Sequence, residues 1–430
     1  MDANTSLIIV LIIFGVLLAI GVKIAIALSL AAIMGFFLFR GNADIAAYVP
    51  FDNLNSFLLT AIPLFIFMGE VLGQCGASEM IYRSASKWLA WVPGGLLHSN
   101  IATCAMFAAV SGSSPATAAT VATVAVPRLR ELGYDTSLVL GSLAAGGTLG
   151  ILIPPSITMI VYALLSWTSV AALFAGGILP GIMLSVMFMT FIALRTAKNS
   201  KLAPRAPMPS LKELGLSLLD IWPLIVMAIV VLGGIFSGLM TPTEAAAIGS
   251  TTAIIIALLL RKFTWRKFWN CVTGAVKTTS MALFIMMGAF IFASFLGQTG
   301  VARNASLYVG SLGLPKIVIL LFIYFLYILL GCFIDPCSMV VITLPTLLPI
   351  LLDLDINLIW FGVVFVVLSE MAMVTPPVGV NLFIIQGISG EPIGKVVIGT
   401  IPFIFIMLVA ILVLTAFPSI ILWLPSLLEL

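Results

Sequence analysis

The chain has 430 residues, of which 62% are hydrophobic and 8% are charged, and its mean hydropathy is +1.27. Because a water-soluble domain has roughly 25% charged residues, this composition excludes a soluble fold, a nucleic-acid-binding protein and a large catalytic module outside the membrane. The net charge of +3 comes from a few basic loops. With about 20 apolar residues per helical crossing of the lipid bilayer, the length predicts an all-α polytopic membrane protein with roughly 10 to 14 membrane segments.

The N-terminal apolar run extends from Ser6 to Phe39 and is interrupted only by Lys23. Asp2 precedes it, with no Lys or Arg, and the run is too long for a cleavable signal peptide. We therefore expect it to stay in the mature chain. The Lys23 side chain is expected to reach the membrane interface between two helices, and a functional role for it is left open.

Two segments are rich in Lys and Arg, and the positive-inside rule predicts that both are cytoplasmic. The first is the linker 195–220, and the second is the RKFTWRK segment at 261–267. Two apolar runs lie between them, as expected for one helix that crosses the membrane and a second that returns. The Thr241-Pro-Thr-Glu244 sequence predicts a capping box at the start of the second of these helices. The basic residues concerned are Arg195, Lys198, Lys201, Arg205, Lys212, Arg261, Lys262, Arg266 and Lys267.

Tryptophans beside basic residues are typical of amphipathic helices in the membrane interface. Trp88 and Trp91 follow Arg83 and Lys87 in this way. The same interpretation applies to two tryptophans of the second basic segment, Trp265 and Trp269.

Prolines recur at a fixed offset of 222 residues and reveal an internal repeat. Ten prolines of the first half can be tested, and about half a match is expected by chance at a usage of ~5%. Five matches occur, which predicts a first repeat at 1–194, the linker at 195–220 and a second repeat at 221–430. The matched pairs are Pro93/Pro315, Pro127/Pro349, Pro154/Pro376, Pro155/Pro377 and Pro180/Pro402.

The charges after two matched prolines favour an inverted repeat. Arg128 and Arg130 follow Pro127, whereas Asp353 and Asp355 occupy the matching loop. Opposite charge bias places these loops on opposite sides of the membrane. The prediction is therefore an inverted-topology repeat.

A small, polar, proline-containing stretch opens a short apolar segment in each half. The stretches are 111–117 and 331–338, and the apolar segments after them, 118–126 and 339–348, are only about ten residues long and end at Pro127 and Pro349. Ten residues are too few to span the bilayer. We therefore predict two re-entrant hairpins, at about 111–126 and 333–349, with polar tips near the midplane.

Each hairpin is followed by a helix that tandem prolines are predicted to break, at about 139–176 and 358–389. Proline lacks the N–H that would bond the carbonyl four residues back, so carbonyls are freed near Gly150 and Met373. Such backbone at membrane depth is expected to be buried or to line a cavity. Free carbonyls and hydroxyls suit hard cations, and the N–H groups after Pro155 and Pro377 suit an anionic substrate.

Few ionisable residues lie in apolar segments, and each has a functional and a structural interpretation. Asp335 at the second tip either binds an ion or substrate or caps a helix, since Asp before Pro is also an N-cap signature. Glu370 is either functional or a paired structural charge. Glu70, at the end of an apolar run, is expected to be interfacial.

Simple kinks in structural helices are the alternative to the two predicted breaks.

The sequence gives no support for an enzyme. Ser111, Ser113 and Ser114 could supply a nucleophile with His98 as base, but there is no GxSxG elbow, and no HExxH, Walker or GxGxxG motif stands out. The five cysteines show no CxxC spacing and are expected to be packing residues. No cofactor and no nucleic acid are expected.

Several motifs resemble those of a known family. They are AAVSGSSPATAAT (108–120), GYD (133–135), AAGGTLGILIPPSITMIVY (144–162), GLMTPTEAAAIG (238–249) and TPPVGVNLF (375–383). In this order, through both halves, they resemble the large membrane subunit of the tripartite ATP-independent periplasmic (TRAP) transporters. Lys23 departs from the resemblance, because many members have proline there.

The resemblance implies a sodium symporter of the bacterial inner membrane with an elevator mechanism, a scaffold and a transport domain. Its partners would be a separate small four-helix membrane subunit and a soluble periplasmic substrate-binding protein. Sodium ions would be the coupling ions, bound by Ser113, Ser114, Gly147, Thr148, Gly150, Asp335, Met373 and Thr375. The substrate would lie between the tips, near Ser111, Thr117, Pro155, Ser156, Pro377, Gly379 and Asn381.

The cargo is left open, and a C4-dicarboxylate, a sialic acid or another organic acid would fit. A proton-coupled or uncoupled organic-anion permease, with Asp335 or Glu370 as titrating groups, is the first alternative function. A membrane anchor without transport is the second, and it would need neither the repeat nor the breaks.

Overall fold

The computed structural model describes residues 3–204 and 208–430, and its regular secondary structure there is helical. Arg205, one of the basic residues of the predicted linker, lies outside these ranges. The first half contains α1 (Ala3–Ala19), α2 (Ile24–Arg40), α3 (Ile45–Leu54), α4 (Ala61–Gln74), α5 (Ala77–Leu89), α6 (Leu96–Ser111), α7 (Ser114–Glu131), α8 (Thr136–Gly147), α9 (Ile157–Ser166) and α10 (Val170–Lys198).

The linker holds a 3₁₀ turn at Ser200–Leu202 and helix α11 (Leu211–Leu218). A π-helical turn at Ile229–Gly233 then joins two short helices into one apolar run. The remaining helices are α12 (Trp222–Ala228), α13 (Gly234–Phe236), α14 (Pro242–Leu259), α15 (Trp265–Gln298), α16 (Val301–Ser311), α17 (Lys316–Gly331), α18 (Pro336–Asp353), α19 (Leu358–Ala372), α20 (Val380–Ser389), α21 (Ile393–Ala416) and α22 (Ser419–Leu427).

Helices of the two halves follow the same order and spacing. Ser114 and Pro336 begin α7 and α18, and Thr136 and Leu358 begin α8 and α19, both at the offset of 222 residues found for the prolines. In each half a hairpin of two helices precedes an interrupted helix. The described ranges hold seven helices long and apolar enough to cross a membrane, together with shorter apolar helices that include α8, α9, α19 and α20.

The hairpin helices are longer than the sequence predicted. Helices α7 and α18 each have 18 residues and continue through Pro127 and Pro349. Each internal proline removes one intrahelical hydrogen bond; α7 has one such proline and α18 has two, since Pro345 is also internal, and packing on neighbouring helices maintains the rest. At 1.5 Å per residue, 18 residues rise about 27 Å, close to the ~30 Å hydrocarbon thickness. The prediction of ten-residue segments was wrong, while the re-entrant path remains a prediction.

Side-chain caps fix the helix starts beside both tips. Ser113 accepts a hydrogen bond from the Ala116 N–H at the start of α7, and Asp335 accepts one from the Ser338 N–H at the start of α18. The predicted capping box at Thr241 and Glu244 is confirmed. Caps of this kind satisfy N–H groups that a helix start leaves unpaired, so polar residues of the sequence set the ends of these helices.

The two halves share one packed interior. The buried rings of Tyr162 on α9 and Tyr327 on α17 both pack against Phe365 on α19, with centroid distances of 6.2 Å and 4.9 Å. Backbone contacts also cross the halves, because Gly141 of α8 lies directly against the Gly399 carbonyl of α21 and neither position has room for a Cβ. Helices from both repeats therefore form one body around the interrupted segments.

Candidate functional site

The first interrupted helix packs against the first hairpin tip. Helix α8 ends at Gly147, a 3₁₀ turn covers Thr148–Gly150, and regular helix resumes at Ile157. A Cβ placed on Gly150 would lie 2.7 Å from both the Ser113 carbonyl oxygen and the Ser114 Cα. The absence of a side chain at Gly150 thus lets the break touch the tip. Predicted site residues Ser113, Ser114 and Gly150 are brought together.

A buried hydrogen bond joins this tip to the other half of the chain. The Ser114 hydroxyl donates to Oε1 of Glu370 on α19, which is fully buried. The second carboxylate oxygen, Oε2, has no hydrogen-bond partner among the described residues. The sequence left the role of Glu370 undecided, and the structure places it beside the predicted ion-binding tip.

Asn381 brings a second unpartnered polar group to the same region. Its side chain is fully buried, and within the described ranges neither its Nδ2 nor its Oδ1 has a hydrogen-bond partner. Its backbone N–H donates to the Met373 carbonyl at 3.1 Å. A Cβ on Gly147 would lie 3.2 Å from Asn381 Nδ2. Buried amides without partners are rare and costly, so the Asn381 amide is available to bind a further polar ligand.

The second tip forms a separate polar group with the second break. The Cys332 thiol donates to the Pro376 carbonyl at 3.6 Å, and the Thr375 hydroxyl donates to the Met371 carbonyl at 2.7 Å. Cys337, beside the capping residue Asp335, contacts Thr158 of the first half at 3.7 Å. The predicted residues Asp335 and Thr375 therefore lie at this second group, and α9 links it to the first half.

The two breaks differ in exposure. Pro154, Pro155 and Ser156 of the first break are buried, whereas Pro376 and Pro377 of the second break are exposed. Ser156 caps α9 by accepting from the Met159 N–H at 3.3 Å. In the second half Gly379 holds the corresponding position before α20 with a positive φ of 43°. The first break is thus buried inside the protein, whereas the prolines of the second break lie at its surface.

A cavity of about 520 Å³ adjoins the first tip. Ser111 and Ser113 line it from the hairpin, and Glu70 lines it from α4. The Thr117 hydroxyl donates to Ser111 Oγ at 3.1 Å behind this wall. We expected Glu70 to be interfacial, and its position in the cavity was missed because the cavity forms only when α4, α7 and α15 pack together. The other polar lining residues are Gln74, Thr120 and Thr278.

The donor set limits the chemistry of the site. In the described part of the chain, His, Cys, Asp and Glu side chains do not gather in threes as transition-metal sites require. Hydroxyls, backbone carbonyls, an amide and the carboxylate of Glu370 are the groups available at the first tip, and the Glu70 carboxylate lines the adjoining cavity. Oxygen ligands of this type suit a hard cation. The residues present therefore fit a hard cation.

This architecture defines a class of protein. Repeated halves that contribute interrupted helices and polar tips to a shared interior are characteristic of secondary transporters. Residues 11–420 match the family described as "Tripartite ATP-independent periplasmic transporter, DctM component". The chain belongs to this family of transporter large permeases.

Individual relatives agree with this assignment. The chain is 35% identical over 378 residues to the C4-dicarboxylate TRAP transporter large permease protein DctM of Pseudomonas aeruginosa, covering 87% of this chain and 88% of that protein. It is 31% identical to the sialic acid TRAP transporter permease protein SiaT of Haemophilus influenzae, covering 99% and 69%. The Alcanivorax borkumensis YdaH transporter, with a TM-score of 0.61, 16% identity and coverage of 90% and 91%, shares the fold.

Proposed function

We propose that this protein is the large membrane subunit of a sodium-driven importer of an organic acid anion in the bacterial inner membrane. The observation that carries the proposal is the buried hydrogen bond from Ser114 to Glu370 where the two halves meet, with the unpartnered Asn381 side chain beside Gly147 of the first break. It combines a hairpin tip of one repeat with the interrupted helix of the other. Transporters of repeat architecture bind substrate and coupling ion in such places.

Sodium is proposed to bind at both tips. At the first tip the ligands would come from Ser113, Ser114, Gly147, Thr148 and Gly150. At the second tip they would come from Asp335, Met373 and Thr375. The support is oxygen-rich chemistry, because hydroxyls and carbonyls lie beside both breaks.

The substrate is proposed to bind between the tips, near Ser111, Thr117, Pro155, Ser156, Pro377, Gly379 and Asn381. Helices α9 and α20 begin there, and helix N-termini favour carboxylate groups. Relatives are named for C4-dicarboxylate, sialic acid and 2,3-diketo-L-gulonate transport, so an organic acid is the substrate class proposed here.

A periplasmic binding protein would deliver the substrate, and a small four-helix membrane subunit would complete the permease. One relative, the isethionate TRAP transporter permease protein DctMQ of Oleidesulfovibrio alaskensis, is matched over 59% of its length, which leaves room there for a second component. Transport would proceed by an elevator motion of the hairpins and interrupted helices.

Reconstitution with both partners in liposomes tests this function. An inward sodium gradient should drive accumulation of one organic acid from a panel that includes dicarboxylates and sugar acids. Replacing Na⁺ by K⁺ at constant pH should abolish accumulation. Uptake that persists in K⁺ would contradict sodium coupling, whereas lack of uptake of every acid in the panel would contradict the substrate class.

Proton coupling is the second candidate, and the burial of Glu370 favours it. This carboxylate has a serine hydroxyl as its hydrogen-bond donor and forms no ion pair within the described ranges. A buried carboxylate without a cation is expected to bind either a metal cation or a proton. Under this alternative a pH gradient alone drives uptake, and Glu370→Gln abolishes that response.

A further inference from the structure

A second cavity, of about 410 Å³, lies away from the hairpin tips and is lined by cations. Arg83 and Lys87 of α5 line it one helical turn apart, and Arg128 lines it from the last turn of α7. Its volume is within the roughly 300–1,000 Å³ typical of ligand pockets. The function proposed above does not use this cavity.

The cavity is held together by contacts between the hairpin and the linker. The Tyr134 hydroxyl donates to the Pro204 carbonyl at 2.8 Å and accepts from the Leu96 N–H at 3.2 Å. Arg83 forms a bidentate pair with Asp220, with N–O distances of 2.9 Å and 2.7 Å. This pair fixes the guanidinium at the cavity wall. Tertiary contacts of Arg83 and Tyr134 therefore define part of the wall, and Lys87 and the exposed Arg128 add their side chains to it.

Positive charge exceeds negative charge in this cavity. Asp220 offsets Arg83, but within residues 3–204 and 208–430 neither Lys87 nor Arg128 forms an ion pair. Glu79 and Glu213 interact with the cations at longer range, and Glu213 is already engaged in the capping box with Ser210. The positive charge of Lys87 and Arg128 that remains favours the binding of an anion in this cavity.

The surroundings of the cavity indicate a membrane interface. Helices α5 and α11 contact each other through the hydrogen bond from Trp88 Nε1 to Ser217 Oγ, 3.1 Å long. They expose apolar side chains beside their charged ones, since Trp88 is 42% and Leu211 is 84% exposed, and Trp91, just after α5, is 42% exposed. Exposed Trp and Leu next to Lys and Arg are typical of helices that lie in the headgroup region. A soluble anion has no apolar part that could contact these exposed side chains.

We infer that this cavity binds the headgroup of an anionic phospholipid of the cytoplasmic leaflet. The phosphodiester would lie between Lys87 and Arg128, and the acyl chains would extend along the exposed apolar surface of α5 and α11. Basic residues near a membrane surface attract anionic lipids, and the linker 195–220 was predicted to be cytoplasmic. The lipid would then bridge α5, the hairpin helix α7 and the linker.

Native mass spectrometry of the full-length protein in detergent tests this inference, with phosphatidylglycerol and phosphatidylcholine as probes. Phosphatidylglycerol should bind more tightly than phosphatidylcholine. In the double variant Lys87→Gln, Arg128→Gln its affinity should fall by on the order of tenfold or more, as expected for two basic residues at a membrane surface. The control Arg266→Gln, an exposed arginine of the other basic segment, should leave binding unchanged.

Three results would overturn the inference: equal affinity for both lipids, unchanged binding in the double variant, or displacement of phosphatidylglycerol by glycerol 1-phosphate. The last result would assign the cavity to a soluble anion. Both substituted side chains lie at the surface, and each single variant should show part of the loss. If the double variant does not fold, the affinities of the two single variants for phosphatidylglycerol test the inference.

Discussion

The Ser114 hydroxyl donates a hydrogen bond to the Glu370 carboxylate, although the two residues are 256 positions apart in the chain. The contact joins the first hairpin tip to the interrupted helix of the second half. No corresponding link exists at the positions 222 residues away, because Pro336 replaces Ser114 and Thr148 replaces Glu370. Thr148 instead donates to the Ala145 carbonyl of its own helix, at 2.6 Å. The polar link between the halves is therefore present at one of the two repeat-related pairs of positions and absent from the other.

Ser114→Ala should destabilise the protein because it removes the hydroxyl that donates to a fully buried carboxylate. Leaving a buried polar group unsatisfied costs about 1–3 kcal/mol, and more if the group is charged. Thermal unfolding in detergent measures the loss. Thr123→Ala is the matched control, since its exposed hydroxyl bonds within α7. Equal unfolding temperatures for the two variants would contradict the importance of the link.

Gly150→Ala should impair the packing of the first break on the first tip. The added methyl group would meet backbone atoms at 2.7 Å, and backbone cannot move aside as a side chain can. Overpacking of this kind costs about 1–3 kcal/mol. Sodium-dependent uptake in liposomes should fall, whereas Gly394→Ala, with no neighbouring heavy atom within 4 Å, should keep full uptake. Normal uptake by the Gly150 variant would show that the break tolerates separation from the tip.

Thr120→Trp should block the cavity beside the first tip. Thr120 lines this space of about 520 Å³, and an indole ring would fill much of it. Uptake should be lost while the protein still elutes as a folded species in size-exclusion chromatography. Thr123→Trp places the same ring on the exposed face of α7. If both variants transport equally well, the cavity is not part of the substrate path.

Asp335→Asn should separate the two roles open to this residue. Asp335 caps α18 by accepting from the Ser338 N–H at 3.1 Å, and asparagine caps helices about as well as aspartate. The unfolding temperature should therefore change little, whereas Asp335→Ala should cost about 0.5–2 kcal/mol. If the charge binds sodium, the asparagine variant needs a higher Na⁺ concentration for half-maximal uptake. An unchanged sodium dependence would contradict a role for the Asp335 charge in sodium binding.

The connection between α20 and α21 should make stability depend on pH. Lys395, which donates to Glu391 at 2.9 Å, lowers the pKa of Glu391 below its ordinary value of 4.5, and Arg130 adds to the effect. A carboxylate whose folded pKa is lowered contributes stability above the unfolded pKa and loses it as the pH falls through the folded value.

The wild type should therefore exceed Glu391→Gln in unfolding temperature at neutral pH by a small margin, as surface pairs are weak. That margin should disappear as the pH falls through the lowered pKa of Glu391. Thermal scans from neutral to acid pH measure it, and high salt should reduce it at neutral pH. A difference in unfolding temperature that grows as the pH falls would contradict the lowered pKa of Glu391.

Local features of the fold could be predicted from the sequence because their causes are local. Tandem prolines remove backbone donors, so the interruptions after Gly147 and Ala372 follow from the residues themselves. The caps at Ser113 and Asp335 follow from similar short-range chemistry. The length of α7 did not follow, because its passage through Pro127 depends on packing from other helices.

Contacts between distant segments could not be predicted. Nothing near Glu370 in the chain points to Ser114, and nothing near Glu70 points to the cavity of the first tip. Neither pairing has a characteristic spacing, since both arise only when helices from different parts of the chain pack together. A buried carboxylate in an apolar segment is the one signal that could have favoured a role for Glu370.

The close approach of Gly141 to Gly399 has a mechanical consequence. With backbone against backbone, α8 and α21 have no side chains at this crossing that could slide or change rotamer. One helix comes from each repeat, so the two repeats meet here backbone to backbone. Any rearrangement that separates α8 from α21 has to open this contact.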